Sequence, residues 1–593
     1  MTKGSINAAP VNKLPVELLS YIFNLGTHSK DIRLEDRDED EDEGHLDFDP
    51  FCEVFPHTVA SVNRHWRRVA LSTSTIWTNV CVTISDIVVG DGDDDGIWRT
   101  KAPARTSRLD TSRVDLQLIR SRSSPLDIII DSRDPDWDFS EPESYSDHNM
   151  GYDPDHPFSS THMMKVLYLL LPHLPRWRSL AILTDTYAPM YTALTILSNS
   201  TSDYHFAHAP LLESLILMRC NEFASYCPSF SPPHLKGALL PFAQTGLPQL
   251  RKLVLSGVHV DWSAVHTILP LSSKDRGELE RGLETLELGY HSEDVRPTPK
   301  EFADILKRCP DLRRLTVRVS GPVWEGDTFD RSEMGEETTD AGCVCLPELQ
   351  SLTIGYTDVM DATSMLAMME ASNLRAVRLE DTNHAASLHD EDSTPLLEYF
   401  ATGPVDDLEG YGPEVGKGAH CVSPFPMLED VTLERVQTST HAAFELFYSA
   451  LPNLKSLSLA HASVSAYMAL WPKEFSPDPS SPNQLPNLES LRVRTDQFPM
   501  DWITSLVHHR SLVGLGLKRI RIDPVEGEDD WEEEVVDLTL GIDALTYEDN
   551  VDVAMRTSED RLIWNEEDEA FKPGGAFDDP IFDSFFPPSH AFI

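Results

Sequence analysis

The amino-acid sequence predicts an α/β fold: a solenoid of repeated strand–helix units, preceded by a small all-α module. Two observations carry this. A short aliphatic motif recurs over residues 126–522, and an amphipathic helical pattern stands ahead of its first copy.

The motif is Leu, two residues, Leu, one residue, then a further aliphatic, usually with proline two positions before the first Leu. It reads LPNLKSL from Leu451, LPNLESL from Leu485, LPQLRKL from Leu247, LPELQSL from Leu346 and CPDLRRL from Cys309. Weaker copies are LPRWRSL, APLLESL, RGLETLEL, SNLRAVRL, FPMLEDVTL and RSLVGLGL. The first apolar positions are residues 177, 212, 250, 283, 312, 349, 374, 428, 454, 488 and 512, eleven copies at intervals of 24 to 54. Alternation at the end of each copy, as in Leu457-Ser458-Leu459, has the period of a strand. The proline keeps the residue before it out of helix and starts the turn into the strand. Helical stretches precede the copies: Phe302, Ile305 and Leu306 before Cys309-Pro310, and Phe444, Phe447 and Leu451 before Pro452. A single such unit cannot bury its apolar face; stacked neighbours bury it. Val80–Ile84 and Leu126–Ile130 read as strands leading in, with loops between them and from Asp134 to Asp155.

This pattern resembles the leucine-rich repeat family over most of residues 126–522. The asparagine that the family carries after its third aliphatic position is mostly missing, with Asn221 nearest.

At the N-terminal end, Leu14-Pro15-Val16-Glu17-Leu18-Leu19 reads as a helix start. Pro15 suits the first helical position and Glu17 the positive end of the helix dipole. Leu14, Leu18, Ile22 and Leu25 repeat on one face. A second amphipathic stretch places Val59, Val62, Trp66, Val69 and Ala70 on one side and closes in Ser72-Thr73-Ser74-Thr75-Ile76-Trp77. Between the two, Asp31–Asp49 holds eleven acidic residues against two arginines, a solvated insertion.

Together these segments resemble the F-box: an LPxELLxxIF opening, a later helix with a central Trp, and a closing element ending in Trp. The resemblance implies an F-box-like module over residues 11–77 after a loose 1–10, with a connecting segment 78–125. It implies binding to a Skp-type adaptor, and through it to a cullin, with Leu14, Pro15, Leu18, Ile22, Val62 and Trp66 at the motif's apolar positions. The order of modules matches the F-box/leucine-rich-repeat class, substrate-recognition subunits of ubiquitin ligases. The alternative from the residues alone is an interaction scaffold whose N-terminal helices only cap the solenoid.

A formal charge of −48 argues against nucleic acid and against anionic membrane surfaces as main ligands. Eight scattered cysteines do not make a disulfide framework. The opening residues lack an apolar core of signal-peptide length, and Val166–Leu171 is too short to span a bilayer. The expectation is a cytoplasmic or nuclear protein, in which the sequon at Asn199 goes unused. Asp91–Gly96 mimics the start of a calcium loop but has Ala102 where a bidentate Glu is needed. Cys343 with Cys345, and Cys220 with Cys227, lack zinc spacing, and His508-His509 read as helix-surface residues. No nucleophile elbow, phosphate loop, zinc-protease or dinucleotide motif is present. The expectation is a chain that is not an enzyme, with no catalytic residue, metal or cofactor.

Taking the three outward positions of each copy gives 33 sites, seven of them basic and four acidic. The basic ones are Lys252, Arg314, Arg318, Arg378, Arg492, Arg494 and Lys518; the acidic ones are Glu287, Glu380, Asp430 and Glu434. Arg314, Arg318, Arg378, Arg492, Arg494 and Lys518 are the candidate target-binding residues, for an acidic or phosphorylated protein segment. Residues 523–593 form a tail with 22 acidic and 3 basic side chains and interleaved aromatics. Such a tail suits competition for the same face, a solubilising role, or a helical cap around Trp531–Leu540.

Overall fold

Period-two aliphatics buried on one side, joined by short amphipathic helices, leave one economical packing: strands side by side in parallel with the helices returning across one face. The computed structural model shows this arrangement. It describes residues 14–28, 51–89, 107–137, 139, 156–199, 208–270, 282–324, 343–383, 392–403, 423–471, 484–494, 500–523, 535–539 and 554–556. The acidic insertion 31–49, Asp91–Gly96, residues 1–10 and the tail aromatics lie outside these residues. Two compact units are present; among the described residues the first holds 14–224 and 231–270, the second 225–230 and 282–556.

The first unit opens with three helices, α1 (Val16–His28), α2 (Phe51–Val62) and α3 (Arg64–Ser72), and a 3-10 turn over Ser74–Trp77. Leu19, Phe23, Val59, Val69, Ala70, Ile76 and Trp77 form their shared core. The stretch Val59–Ala70 is two helices, not one. Asn63 breaks it, and its side-chain oxygen accepts the Trp66 N–H at 2.9 Å, an N-cap for α3. The break turns Val62 away from Val59 and Val69, and Val62 is exposed. Pro15 sits one position ahead of α1, its carbonyl accepting the Leu19 N–H. Gly26 is where α1 and α2 cross closely: a Cβ there would meet the Phe55 ring at 2.3 Å.

Trp77 is sealed between His57, edge-on at 5.0 Å, and the Arg120 guanidinium, 4.3 Å from the ring centroid. It leads directly into β1 (Asn79–Thr83). A hairpin of β2 (Ile87–Val89) and β3 (Ser107–Leu109) follows, then α4 (Ser112–Arg120), in a stretch read from sequence as loop. The pattern that builds α4 is brief: Val114 and Leu118 face inward four residues apart. Then come β4 (Leu126–Asp131), β5 (Trp177–Thr184), β6 (Ser214–Arg219) and β7 (Lys252–Ser256), parallel and in the order β1-β4-β5-β6-β7.

In this unit both strand faces are buried. Inward lie Val80, Ile128, Ile182, Leu215 and Leu253. Outward, Cys81, Ile129, Ala181, Ile216 and Val254 stand in one register row across the five strands, none more than 7% exposed. Near-continuous apolar strands are the mark of a parallel sheet covered on both sides.

The second unit carries eight parallel strands: β8 (Thr285–Gly289), β9 (Arg314–Arg318), β11 (Ser351–Tyr356), β13 (Ala376–Asp381), β14 (Asp430–Glu434), β15 (Ser456–Ala460), β16 (Ser490–Arg494) and β17 (Arg519–Asp523). A small parallel pair, β10 (Val344–Cys345) and β12 (Met369–Glu370), lies beside them. In the repeats from residue 283 to 493, every first, second and third aliphatic is at most 3% exposed. Helices such as Pro299–Lys307 and His441–Ser449 return between the strands; Thr298 and Glu301 close a capping box on the former.

The chain leaves several strands through a left-handed residue: Tyr290, Val319, Arg435 and His461 have φ of 50–55°. Each then donates its N–H to a carbonyl at or next to the end of the following strand, as Val319 does to Gly355 at 2.8 Å and His461 to Arg494 at 2.9 Å. These bonds hold a conformation that costs a β-branched residue energy.

The eleventh copy is misplaced in the sequence reading. Leu512 ends the helix Met500–Leu512 and is exposed, and Gly514, at φ 79°, terminates it, with the Leu515 N–H bonded to the Arg510 carbonyl. Leu517 and Ile520 occupy the first two aliphatic positions, five residues later, and Gly514-Leu515-Gly516 belongs to no strand. The region proposed as a helical cap instead contains β18 (Val535–Thr539), antiparallel to β17 and followed by β19 (Ala554–Arg556).

Candidate interaction surfaces

Two surfaces stand out, one in each unit. The first is on the three-helix module. α1 is apolar on two sides. Leu19 and Phe23 point into the core, whereas Leu18, Tyr21, Ile22 and Leu25 are 45–61% exposed. The spacing 18, 22, 25 makes these neighbours on one helical face. Of the residues singled out from sequence, Leu18 and Ile22 lie on this outer face and Pro15 is exposed. Leu14 is half-buried against the core, and Trp66 is half-buried with its ring 5.1 Å from that of Phe23. Val62 is exposed at the end of α2.

The second surface is the outward side of the strands in the second unit. Its central feature is a row of ion pairs across β8, β9, β13 and β14. Glu287 meets Arg318 at 3.5 Å; Arg318 meets Glu380 at 2.9 Å; Arg378 bridges Glu380 and Glu434, reaching the latter at 2.9 Å. Burial alone would raise the Glu380 pKa, but the two flanking guanidiniums hold it down at about 2. The same carboxylates push the Arg318 and Arg378 pKa values up against the opposing effect of burial. Two of the candidate target-binding arginines are thus built into an internal network. Arg314 is exposed at the start of β9; Arg492 and Arg494 are half-buried on β16. Lys518 precedes β17 and pairs with Glu489 at 2.7 Å. That pair belongs to a second charged row at the strand entries, with Lys455–Glu429 at 2.9 Å and Arg375–Glu429 at 3.9 Å.

Three asparagines escaped the sequence reading. Asn373, Asn453 and Asn487 each stand just before the first aliphatic and donate to the Pro347, Pro426 and Pro452 carbonyls of the preceding repeat at 2.7–2.9 Å. The recurring P-N-L in two of the copies was their signal.

Buried polar groups in both units serve the backbone. His156 Nε2 lies 3.1 Å from Asp185, which also accepts the Asp134 N–H. Burial raises the Asp185 pKa, opposed by the His156 bond. His291 lies 2.8 Å from Ser320, both at most 1% exposed, and the Ser320 hydroxyl donates to the Arg318 carbonyl. Arg510, 1% exposed, donates to the Leu470, Gln484 and Leu485 carbonyls. Burial pushes the Cys309 thiol up to about 12. Among the described residues no group of three or more His, Cys, Asp or Glu is placed to hold a metal ion, and no helix is long and apolar enough to cross a membrane.

No protein-family model matches the chain, and no curated protein does. Among solved structures it is similar to the Rad7–Elc1 complex of yeast, with 16% identity and a TM-score of 0.25 over 55% of this chain and 73% of that one. It is also similar to an internalin of Listeria monocytogenes, with 12% identity and a TM-score of 0.21 over 62% of this chain and 89% of that one. The class that the strands and helices define is a mixed α/β protein whose two units each carry a parallel sheet, an architecture consistent with a leucine-rich-repeat-like solenoid.

Proposed function

We propose that this chain is a non-enzymatic, cytoplasmic or nuclear adaptor, the substrate-recognition subunit of a Skp–cullin–F-box ubiquitin ligase. The helical module would bind a Skp-type adaptor and the outward face of the repeats a target protein. The observation that carries this reading is the exposed apolar face Leu18-Tyr21-Ile22-Leu25 on a helix whose opposite side already fills a core. A monomeric soluble surface seldom keeps such a face without a partner. The LPxELLxxIF resemblance supplies the class of partner. Catalysis would reside in the partners, and this chain would contribute proximity. The scaffold reading draws on Trp77, which joins the module directly to β1 as a cap would.

The test is capture of purified Skp-type adaptor by the wild type and by Leu18→Asp with Ile22→Asp. These positions are exposed, so the variant keeps its fold while carboxylates enter the interface. Capture is expected to fall at least about tenfold, since unpaired charge in an apolar interface costs more than 1.4 kcal/mol. Undiminished capture by the folded variant would leave only the scaffold reading.

A further inference from the structure

We infer that the start of the helix Ser160–Leu170 (α5) is a pH-sensitive latch, closed while His162 is neutral and opened by a proton on its Nδ1. This goes beyond the adaptor role and does not rest on it. Helix α5 begins behind Ser159, and His162 stands three positions on, where a capping box ordinarily carries Glu or Gln. The imidazole fills that place. Its Nδ1 accepts the Ser159 N–H at 3.1 Å and lies 3.1 Å from the Ser159 hydroxyl. Its Nε2 faces Ser107 on β3, 3.4 Å from the hydroxyl and 3.5 Å from the carbonyl. A ring nitrogen that accepts a backbone N–H carries no proton, so the ring's hydrogen is on Nε2. Glutamine in this place accepts at every pH; histidine accepts only while it is neutral.

A proton on Nδ1 undoes the cap in three ways. It sets a second donor against the Ser159 N–H, one of the groups that a helix start leaves without an intrahelical partner. It puts a cation at the positive end of the helix dipole. It also charges a side chain that is 2% exposed. Among the described residues the charge that acts on His162 is Lys165, of the same sign. The elements packed on α5 are β3, the helix Tyr187–Asn199 (α6) and the turn Leu171–Arg176. None of the three contains an acidic residue; their titratable groups are Arg108, then Tyr187 and Tyr191, then His173 and Arg176. Burial, with Lys165, holds the His162 pKa below the ordinary 6.5, and the Ser107 carbonyl opposes them. The stability that neutral His162 contributes is therefore present above pH 6.5 and falls away below it.

His156, just ahead of the same helix, is the contrast. Its Nε2 lies 3.1 Å from the Asp185 carboxylate, and its Nδ1 lies 3.1 Å from both the nitrogen and the oxygen of Phe158. On taking a proton it keeps the carboxylate and exchanges an N–H for a carbonyl. Asp185 in turn accepts the Asp134 N–H and lies in the field of Arg133, and the Trp137 ring stands edge-on to His156 at 4.7 Å. Among the described residues His162 has no such exchange available. One ring is thus a fixed anchor and the other the titrating part. Opening loosens the first turn of α5 from Ser107 and leaves the rest of the helix packed on α6.

The experiment is hydrogen exchange of the full chain, read by mass spectrometry on peptides spanning residues 158–166, at about pH 7.5 and about pH 5.5, with rates corrected for the intrinsic pH dependence of exchange. One unit below the ordinary histidine pKa, a site that must stay neutral loses on the order of tenfold in its closed-to-open ratio. Wild-type protection of the first turn is expected to fall by about that factor, and His162→Gln should hold it within about twofold. The helix Pro299–Lys307, whose capping box carries Glu301 in the equivalent place, is the internal control and should also stay within about twofold. If His162→Gln opens the turn at both pH values, His162→Asn, whose side-chain oxygen replaces Nδ1, serves in its place. Wild-type protection that does not change with pH overturns the proposal. So does an equal fall in the folded His162 variant, or in the Glu301-capped helix.

Discussion

Glu380 shows how a side chain placed by strand alternation acquires a different role from its neighbours. It stands where an outward residue should meet solvent, yet it is 8% exposed and clasped by Arg318 and Arg378. Removing one partner of a buried ion network leaves the other charges uncompensated, so Glu380→Gln should cost about 3–5 kcal/mol. The pH dependence has a definite sign. The folded-state pKa of about 2 lies below the ordinary 4.5. The contribution is therefore full above pH 4.5 and is lost as pH falls from there toward 2. Thermal melts of wild type and Glu380→Gln should differ by a constant amount from pH 7 down to about 5, then converge. A gap that stays constant down to pH 3 would place the stabilisation elsewhere. From sequence, Arg318 and Arg378 read as open positive charge. Apart from Glu380, two residues along the same strand from Arg378, the carboxylates that hold them are more than thirty residues away on other strands.

At the scale of the element, the aliphatic spacing did its work wherever the turn before it was also specified. Leu454 and Leu457, behind Pro452 and Asn453, are completely buried. Leu454→Ala with Leu457→Ala should destabilise by roughly 4–8 kcal/mol, each cavity costing about 2–5 and the two not simply adding. An unchanged melting temperature would mean that these leucines do not face the stacked core. The copy at Leu512 lacks that proline, and there the spacing misled. The same letters fit a helix end closed by Gly514, and the strand begins later. α1 gives the complementary case. Its periodicity announces an apolar face at Leu18, Ile22 and Leu25, but periodicity does not say whether that face is inside. Leu19 and Phe23 took the inside.

Across the molecule the two units use one strand–helix unit in different ways. In the first, the outward row Cys81-Ile129-Ala181-Ile216-Val254 is apolar and buried; in the second, the corresponding positions are mostly charged or hydroxylated. Polar substitution at outward positions should therefore be unequal. Ile216→Asp is expected to cost on the order of 3–5 kcal/mol through an unpaired buried carboxylate. Ser458→Asp, half-exposed on β15, should cost less than about 1 kcal/mol. Urea unfolding of both variants checks this, and equal midpoints would show that the two faces are equally open. The charge that the second unit spreads over its face also explains why counting basic and acidic sites separately overstated the free positive surface. Glu287, Glu380 and Glu434 were counted, but not paired.

By itself the sequence determined the mixed α/β character of the fold. Repeated Leu-x-x-Leu-x-Leu behind a proline dictates parallel strands, because aliphatics at alternating positions bury only when copies stack, and helices of matching length carry the chain back. It determined the N-terminal helices as well, through apolar residues at helical spacing. Tertiary structure alone decided which of two apolar helix faces is covered, where Asn63 divides one amphipathic run into two helices, and which arginines pair with glutamates one or two strands over. Those outcomes depend on partners far away in sequence. Burial and pairing are properties of a neighbourhood, and a linear pattern specifies only one side of it.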